Sequence, residues 1–448
     1  MAPDDFGLLG LAMLAIGALE TFSNTGFHAA LIQKKDDIRS YLDTAWTISA
    51  IRGIIIFLLL FIGAPLIADF FNSDQVILVI RVVAVISLLS ALRNIGIVFF
   101  KKELEFNKEF LFEMSGTLVD ITVAIALAFI MRNVWALVWS GLAAGLMRLF
   151  MSYFLHTYRP RVRIEKEKFF ELFGFGKWVL VSGIAYFLIT EGDDIFVGKM
   201  LGITALGLYQ MAFLLSNMPT AEIAHVLSQV TFPFYSKLQN ELSKLREGYF
   251  KVLQISAFIS FPIGGSIFVL APEFTSVCLG QKWMPMVPAM KVLVLAGCAR
   301  CIATTSGLLF YAVGKPKIDT VFQFLCLFVL AVLIYPFSLN WGIVGIALAV
   351  FASTFISNLG VSYMAVKTVD ADFASFLKPL AIPLLNTFIT VYLVFGLKQI
   401  FAPSLWTLIL EGCAAILLYL VLSYLSDRVF NHGFQAILKE SMNSFQRS

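Results

Sequence analysis

Charge is what this 448-residue sequence has least of: Asp, Glu, Lys and Arg make up 14% of it, against about 25% in soluble globular domains. Too little charge is present to clothe the chain in a water-facing surface. Histidine occurs only as His28, His156, His225 and His432, at no spacing that would hold a metal ion. The five cysteines are odd in number and lie mostly in apolar runs, which excludes a disulfide framework. Cys298 and Cys301 form a C-x-x-C, but on an apolar stretch without nearby histidines they read as small packing residues. No glycine loop followed by lysine cradles a phosphate, and no large polar loop is available to hold the reactive groups of an enzyme on lipid-linked sugars. The first residues carry no basic segment of the kind that opens a cleavable signal peptide. A net charge of +4 is too small to indicate a nucleic-acid partner.

What is abundant is apolar surface. Hydrophobic residues make up 59% of the chain and mean hydropathy is +0.86. Thirteen apolar runs approach or exceed the roughly 20 residues that cross a bilayer. They begin at 7–32 and 41–68, continue through 75–99, 174–200, 203–232, 318–338 and 341–366 among others, and end at 404–426. Runs this long and continuous satisfy their own backbone hydrogen bonds as helices, not as barrel strands. The fold class expected is an all-α polytopic membrane protein.

The connecting segments alternate in charge. One set carries Lys34, Lys35 and Arg39; Lys101, Lys102 and Lys108; Arg159, Arg161, Arg163, Lys166 and Lys168; further lysines in each later alternate loop; and the tail residues Arg428, Lys439 and Arg447. The other set carries only Arg132, Lys199, Lys282 and Lys398. Basic loops stay inside, so the C-terminus is cytoplasmic and the N-terminus external.

The most distinctive stretch runs from Asp193 to Pro219, DDIFVGKMLGITALGLYQMAFLLSNMP. It places two carboxylates on an apolar helix and predicts a tight turn around Gly202 to Gly207. With Gly198-x-x-Leu-Gly202, Ala205-Leu-Gly-x-Tyr209 and Pro219, this stretch resembles the polysaccharide transporter branch (Wzx-like flippases) of the MOP exporter superfamily. PDDFG at Pro3, FPFYSKLQ at Phe232, LGQKW at Leu279 and GKPK at Gly314 extend the resemblance over most of the chain.

Gly7, Leu8, Ala12 and Leu14 recur as Gly207, Leu208, Ala212 and Leu214, an internal repeat at an offset of 200 residues. If the halves are equivalent, the run 174–200 has no counterpart before Met1, and the resemblance likewise puts PDDFG after a first helix. The expectation is a protein of fourteen helices whose first precedes this start. The organisation read from this is an N-terminal lobe at 1–157, a basic cytoplasmic linker at 158–173, a pseudo-symmetric C-terminal lobe at 174–366 around a central cavity, and a terminal helix pair with tail at 367–448. The linker reads equally as a tether on which lobes rock or as an interfacial amphipathic helix on anionic lipid.

Charges inside apolar runs are costly, about 3 kcal/mol each at the bilayer centre on insertion scales. Arg52, Arg148 and Arg300 are the central cations. Arg81, Arg93, Lys177 and Lys291 stand near run ends, where snorkelling competes with cavity lining. Arginine offers a bidentate fork to phosphate oxygens, so Arg52, Arg148, Arg300, Arg81 and Arg93 are the substrate-binding candidates, for a lipid diphosphate. Asp120, Glu191, Asp193, Asp194 and Glu222 are the candidates for a coupling ion, proton or sodium. Polar stripes Glu20, Asn24, His28 and Glu113, Thr117, Asp120 follow helical spacing, as do Glu222, His225, Gln229 and Arg300, Thr304, Tyr311. They suit cavity lining or interhelical hydrogen bonding.

The resemblance implies a flippase, not an enzyme, that moves undecaprenyl-diphosphate-linked oligosaccharide across the bacterial inner membrane by alternating access, for O-antigen, capsule or exopolysaccharide assembly. It implies membrane lipids and polysaccharide polymerase machinery as partners and requires no cofactor or metal. A cation-coupled multidrug extruder is the alternative within the superfamily, disfavoured by the arginines; a non-transporting membrane scaffold leaves the intramembrane charges without purpose. The topology is directly testable: green fluorescent protein fused after Ser448 should fluoresce, and alkaline phosphatase fused at Lys282 should be active. The opposite pair of results would invert the assignment.

Overall fold

The structure is a computed structural model and describes residues 1–33, 38–103, 105–400 and 402–430. Lys34, Lys35, Lys439 and Arg447 lie outside these residues, as do the side chains of His28 and Lys177. Lipid offers backbone amides no alternative partners, and the described chain is almost wholly helical. In order it forms α1 (Pro3–Phe22), α2 (Phe27–Gln33), α3 (Leu42–Phe71), α4 (Val76–Ala91), α5 (Val98–Lys102), α6 (Phe106–Met131) and α7 (Val134–Leu155). Then follow α8 (Lys166–Met200), α9 (Ile203–Leu238), α10 (Leu242–Phe274), α11 (Val287–Ala312), α12 (Pro316–Thr368), α13 (Phe373–Leu397) and α14 (Leu405–Phe430).

Among the described residues nine helices are long and apolar enough to cross a membrane, or ten if the bent pair at 76–102 is one span. Ile62, Leu66, Phe129 and Ile130 are 72%, 74%, 76% and 77% exposed. Such surface would drive aggregation in water and is satisfied by lipid. This is a multi-pass membrane protein.

Several apolar runs are interrupted where a polar side chain captures the backbone. The run 7–32 stops at Phe22 and resumes at Phe27, because Asn24 Oδ1 accepts the Gly26 N–H at 2.9 Å and Gly26 turns with φ 65°. Glu20, Asn24 and His28 therefore do not share one continuous helix. The run 75–99 breaks after Ala91 and bends by 66°. There the fully buried Asn94 accepts from Gly96 N–H at 2.9 Å, takes Ser152 Oγ on its own N–H at 3.0 Å and donates Nδ2 to the Tyr158 carbonyl at 2.6 Å. The 53-residue α12 is two helices joined at Gly342 (φ 55°, ψ −132°), the second residue of the run expected at 341–366 and just beyond the one expected at 318–338. A Cβ on Gly345 would strike the Phe337 carbonyl, so only glycine closes this hairpin.

The turn expected over Gly202 to Gly207 is shorter: α8 ends at Met200, Leu201 caps it, Gly202 turns with φ 87°, and Gly207 lies inside α9. Gly207 serves instead as a contact point. A Cβ there would meet the Pro3 carbonyl, and one on Gly7 would meet the Ile203 carbonyl. Thr204 donates to Asp4 across the same crossing. Each partner stands 200 residues from its counterpart, so the repeat appears in space as a self-complementary crossing of α1 with the start of α9.

The chain divides into two compact units, Met1–Gln210 and Met211–Ser448. In the first, α1 packs on α3, α4, α7 and α8, α3 pairs with α4, and α6 pairs with α7. In the second, α10 packs on α11, α13 and α14, and Tyr235, Tyr249, Leu309, Phe310, Ala365 and Phe376 form a core.

Residues 158–165 are extended, and α8 begins only at Lys166. The backbone N–H groups of Arg161, Arg163 and Glu165 donate to Asp43 Oδ1, Thr47 Oγ1 and Thr44 Oγ1 at 3.0, 3.0 and 3.1 Å. This two-residue period lays the extended segment against the start of α3. The Tyr158 hydroxyl also donates to Asp43; burial and then that hydrogen bond push its ionisation well above the usual phenol range, so it stays a donor. Asp43→Ala should raise amide exchange at 158–165 and cost about 1–3 kcal/mol locally, measured by hydrogen–deuterium exchange; unchanged exchange would show that the hydrogen bonds do not hold the segment.

Candidate substrate cavity

The breaks just described deliver polar side chains to one place. In the first unit a cavity of ≈ 360 Å³ is lined by Glu20, Asn24, Trp46, Arg52, Arg93, Asn94, Lys101, Glu109 and Glu113, among others. Glu20 stands at the end of α1 beside the Asn24 break. Arg52 stands on α3 next to Gly53, where the absence of a Cβ lets Ala91 of α4 approach. Arg93 follows the end of α4, at the bend that Asn94 organises.

Most of these charges already have partners. Glu20 Oε1 accepts the Ser87 hydroxyl at 2.6 Å, and Lys101 Nζ pairs with Glu109 Oε1 at 3.2 Å. Arg148 reaches in from α7 to Glu113, Nε to Oε2 3.9 Å, and donates Nη2 to Thr117 Oγ1 at 3.4 Å; it fits because Gly116 leaves room for its stem. Arg52 and Arg93 differ. Neither makes an ion pair among the described residues; the Nε–H of each, like that of Arg148, is buried without a hydrogen-bond partner. Glu20 acts on both at longer range, while Arg148 repels Arg93. A buried donor left unsatisfied costs about 1–3 kcal/mol, more when charged. Two guanidinium groups so placed are poised for an oxyanion with several acceptor atoms.

The other expected cations stand elsewhere. Arg81 donates Nε to the Phe61 carbonyl at 3.2 Å and lies over the Phe61 ring, a contact within the α3–α4 pair. Arg300, in the second unit, is exposed on α11 and donates Nη1 to Asn217 Oδ1 at 3.3 Å.

Of the carboxylates, the structure brings Asp193 and Asp194 together. Asp193, 4% exposed, accepts the Tyr209 hydroxyl at 2.7 Å on Oδ2 and the Asp194 N–H at 3.1 Å on Oδ1. Asp194 Oδ2 accepts Gln210 Nε2 at 2.9 Å, and the Gln210 side chain packs where Gly10 of α1 has no Cβ. Glu191 lies one turn away, within electrostatic reach of Asp193. Asp120 lies on α6 outside the cavity lining, and Glu222 is exposed on α9. Lys101, Glu109, Trp46, Ser87 and Asn94 escaped the sequence reading. Lys101 read as a loop charge, and Arg93 only as a residue near the end of an apolar run.

Residues 1–288 match the model of a family described as polysaccharide biosynthesis proteins. The chain is 26% identical over 292 residues to the teichuronic acid biosynthesis protein TuaB of Bacillus subtilis, covering 65% of this chain and 60% of that one. It is 26% identical over 325 residues to the lipopolysaccharide biosynthesis protein WzxC of Escherichia coli, covering 71% and 65%. The chain thus spans less than two thirds of the length of these relatives. Its fold is similar to that of the lipid II flippase MurJ in an inward closed conformation, with TM-score 0.75, 15% identity and coverage of 95% and 93%.

Tyr209→Phe removes a donor from a buried carboxylate and should destabilise the protein by about 1–3 kcal/mol, read as a lower thermal midpoint in detergent. An unshifted midpoint would mean that Asp193 is satisfied without it.

Proposed function

The chain belongs to the polysaccharide biosynthesis protein family, and from that premise we propose that it is a flippase for polyprenyl-diphosphate-linked oligosaccharide in a bacterial inner membrane. The observation that carries the reading is the pair Arg52 and Arg93, both lining one cavity and both with buried, unpartnered Nε donors. A diphosphate presents several acceptor oxygens, and two guanidinium forks match them bidentately. The neighbouring Asn24 and Trp46 offer amide and indole donors suited to sugar hydroxyls. An organic cation would meet these arginines as like charges, which argues against drug export.

In this reading Arg52 and Arg93 anchor the diphosphate. Arg148, held by Glu113 and Thr117, tunes the local field rather than touching substrate first. Asp193 and Asp194, with Glu191, take the coupling ion, and alternating access carries the head group across. The named relatives, one for teichuronic acid and one for lipopolysaccharide, support a glycan-assembly role. Both halves of α12, together with α8 and α9, also cross the membrane in this reading, which makes thirteen spans.

The test is mass spectrometry of polyprenyl-linked glycans from a deletion strain. The complete lipid-linked repeat unit should accumulate, clear on complementation, and persist when the complementing copy carries Arg52→Ala with Arg93→Ala. Arg81→Ala should clear it as wild type does. An unchanged lipid pool in the deletion strain would refute the flippase reading.

A further inference from the structure

A second buried charge cluster lies far from these residues in sequence, where α10 meets the α13–α14 pair. Lys398, which caps α13, places Nζ 3.0 Å from Glu273 Oε1 near the end of α10 and donates to the Val269 carbonyl at 3.2 Å. The two side chains are only 12% and 16% exposed. Glu411 on α14 is 3% exposed and lies within electrostatic reach of both Glu273 and Lys398. Yet it makes no ion pair or hydrogen bond among the described residues, and its Oε2 is buried without a partner; so is Glu273 Oε2. The remaining charge facing the cluster is Lys291 on α11, which lies over the Phe268 ring and senses Glu273 and Lys398.

The ammonium of Lys398 is already matched by Glu273, and Lys291 acts on Glu273 and Lys398 but not on Glu411. An ionised Glu411 would then be a desolvated carboxylate with no donor and with a like charge for a neighbour. Buried charges of that kind are neutralised. We propose that Glu411, Glu273 and Lys398 form a proton-binding site that joins α14 to α10, with the exchangeable proton on Glu411. The proton comes from solvent water and forms an O–H bond on Glu411 while the Lys398–Glu273 pair persists. Its release leaves two carboxylates competing for one ammonium, which weakens the bridge from α13 to α10. The terminal pair thereby acquires a pH-dependent attachment to the rest of its unit.

Infrared spectroscopy of the whole chain in lipid nanodiscs tests this, because protonated carboxyl groups absorb apart from carboxylates. At neutral pH, Glu411→Gln should remove about one carboxyl equivalent from the protonated band. Lys398→Gln, which strips Glu273 of its cation, should add to that band. These opposite changes are read only on variants that elute as the wild type does in size-exclusion chromatography, and either variant suffices alone. A protonated band untouched by Glu411→Gln, or not increased by Lys398→Gln, overturns the proposal.

Discussion

A charge placed among apolar helices has no bulk water to answer it, and the described structure is shaped by how each such charge is answered. Arg148 is answered by Glu113 and Thr117, Asp193 by Tyr209, Asp194 by Gln210, and Lys398 by Glu273. Each of these pairs fixes one helix against another, so the electrostatic requirement doubles as a packing instruction. Arg52 and Arg93 are the exceptions, with no ion pair among the described residues. Both line the cavity of the first unit and carry a buried, unpartnered Nε–H, and in the proposed function they are the groups left for a ligand.

The helix breaks serve the same end. Asn24 with Gly26, and Asn94 with Gly96, each exchange a helical hydrogen bond for a side-chain one, and the backbone swings where Glu20 and Arg93 need to reach the cavity. Gly53 and Gly116 act without breaking a helix: one lets α3 and α4 close, the other leaves space for the Arg148 stem. Asp43, Thr44 and Thr47 hold residues 158–165 extended against α3, so the basic segment is fastened along its length at the point where it leaves α7.

Much of this was legible in the sequence because lipid simplifies the code. Long apolar runs could only be helices, and the repeat linking Gly7 to Gly207 reappears as the reciprocal contact of α1 with α9. Arg52 was recognisable from its central place in a run. The breaks were harder to read: Asn24 and Asn94 interrupt runs whose hydropathy barely changes, so the first span read as continuous and Arg93 read more readily as a snorkelling end residue than as a cavity residue. Lys101 and Glu109 look like loop charges until the bend after α4 folds them inward. Spacing on one helix placed Glu113, Thr117 and Asp120 together, but only the position of α7 selects the first two as partners of Arg148. Which charges meet across helices depends on packing that no single run encodes.

The central claim is that Arg52 and Arg93 recognise a diphosphate. Native mass spectrometry of the protein in lipid nanodiscs, with undecaprenyl diphosphate and undecaprenyl monophosphate in competition, tests it most directly. The account predicts that wild type retains the diphosphate preferentially and that Arg52→Gln with Arg93→Gln loses that preference while Arg81→Gln keeps it. Equal retention of the two lipids by wild type, or a preference that survives the double substitution, would contradict it.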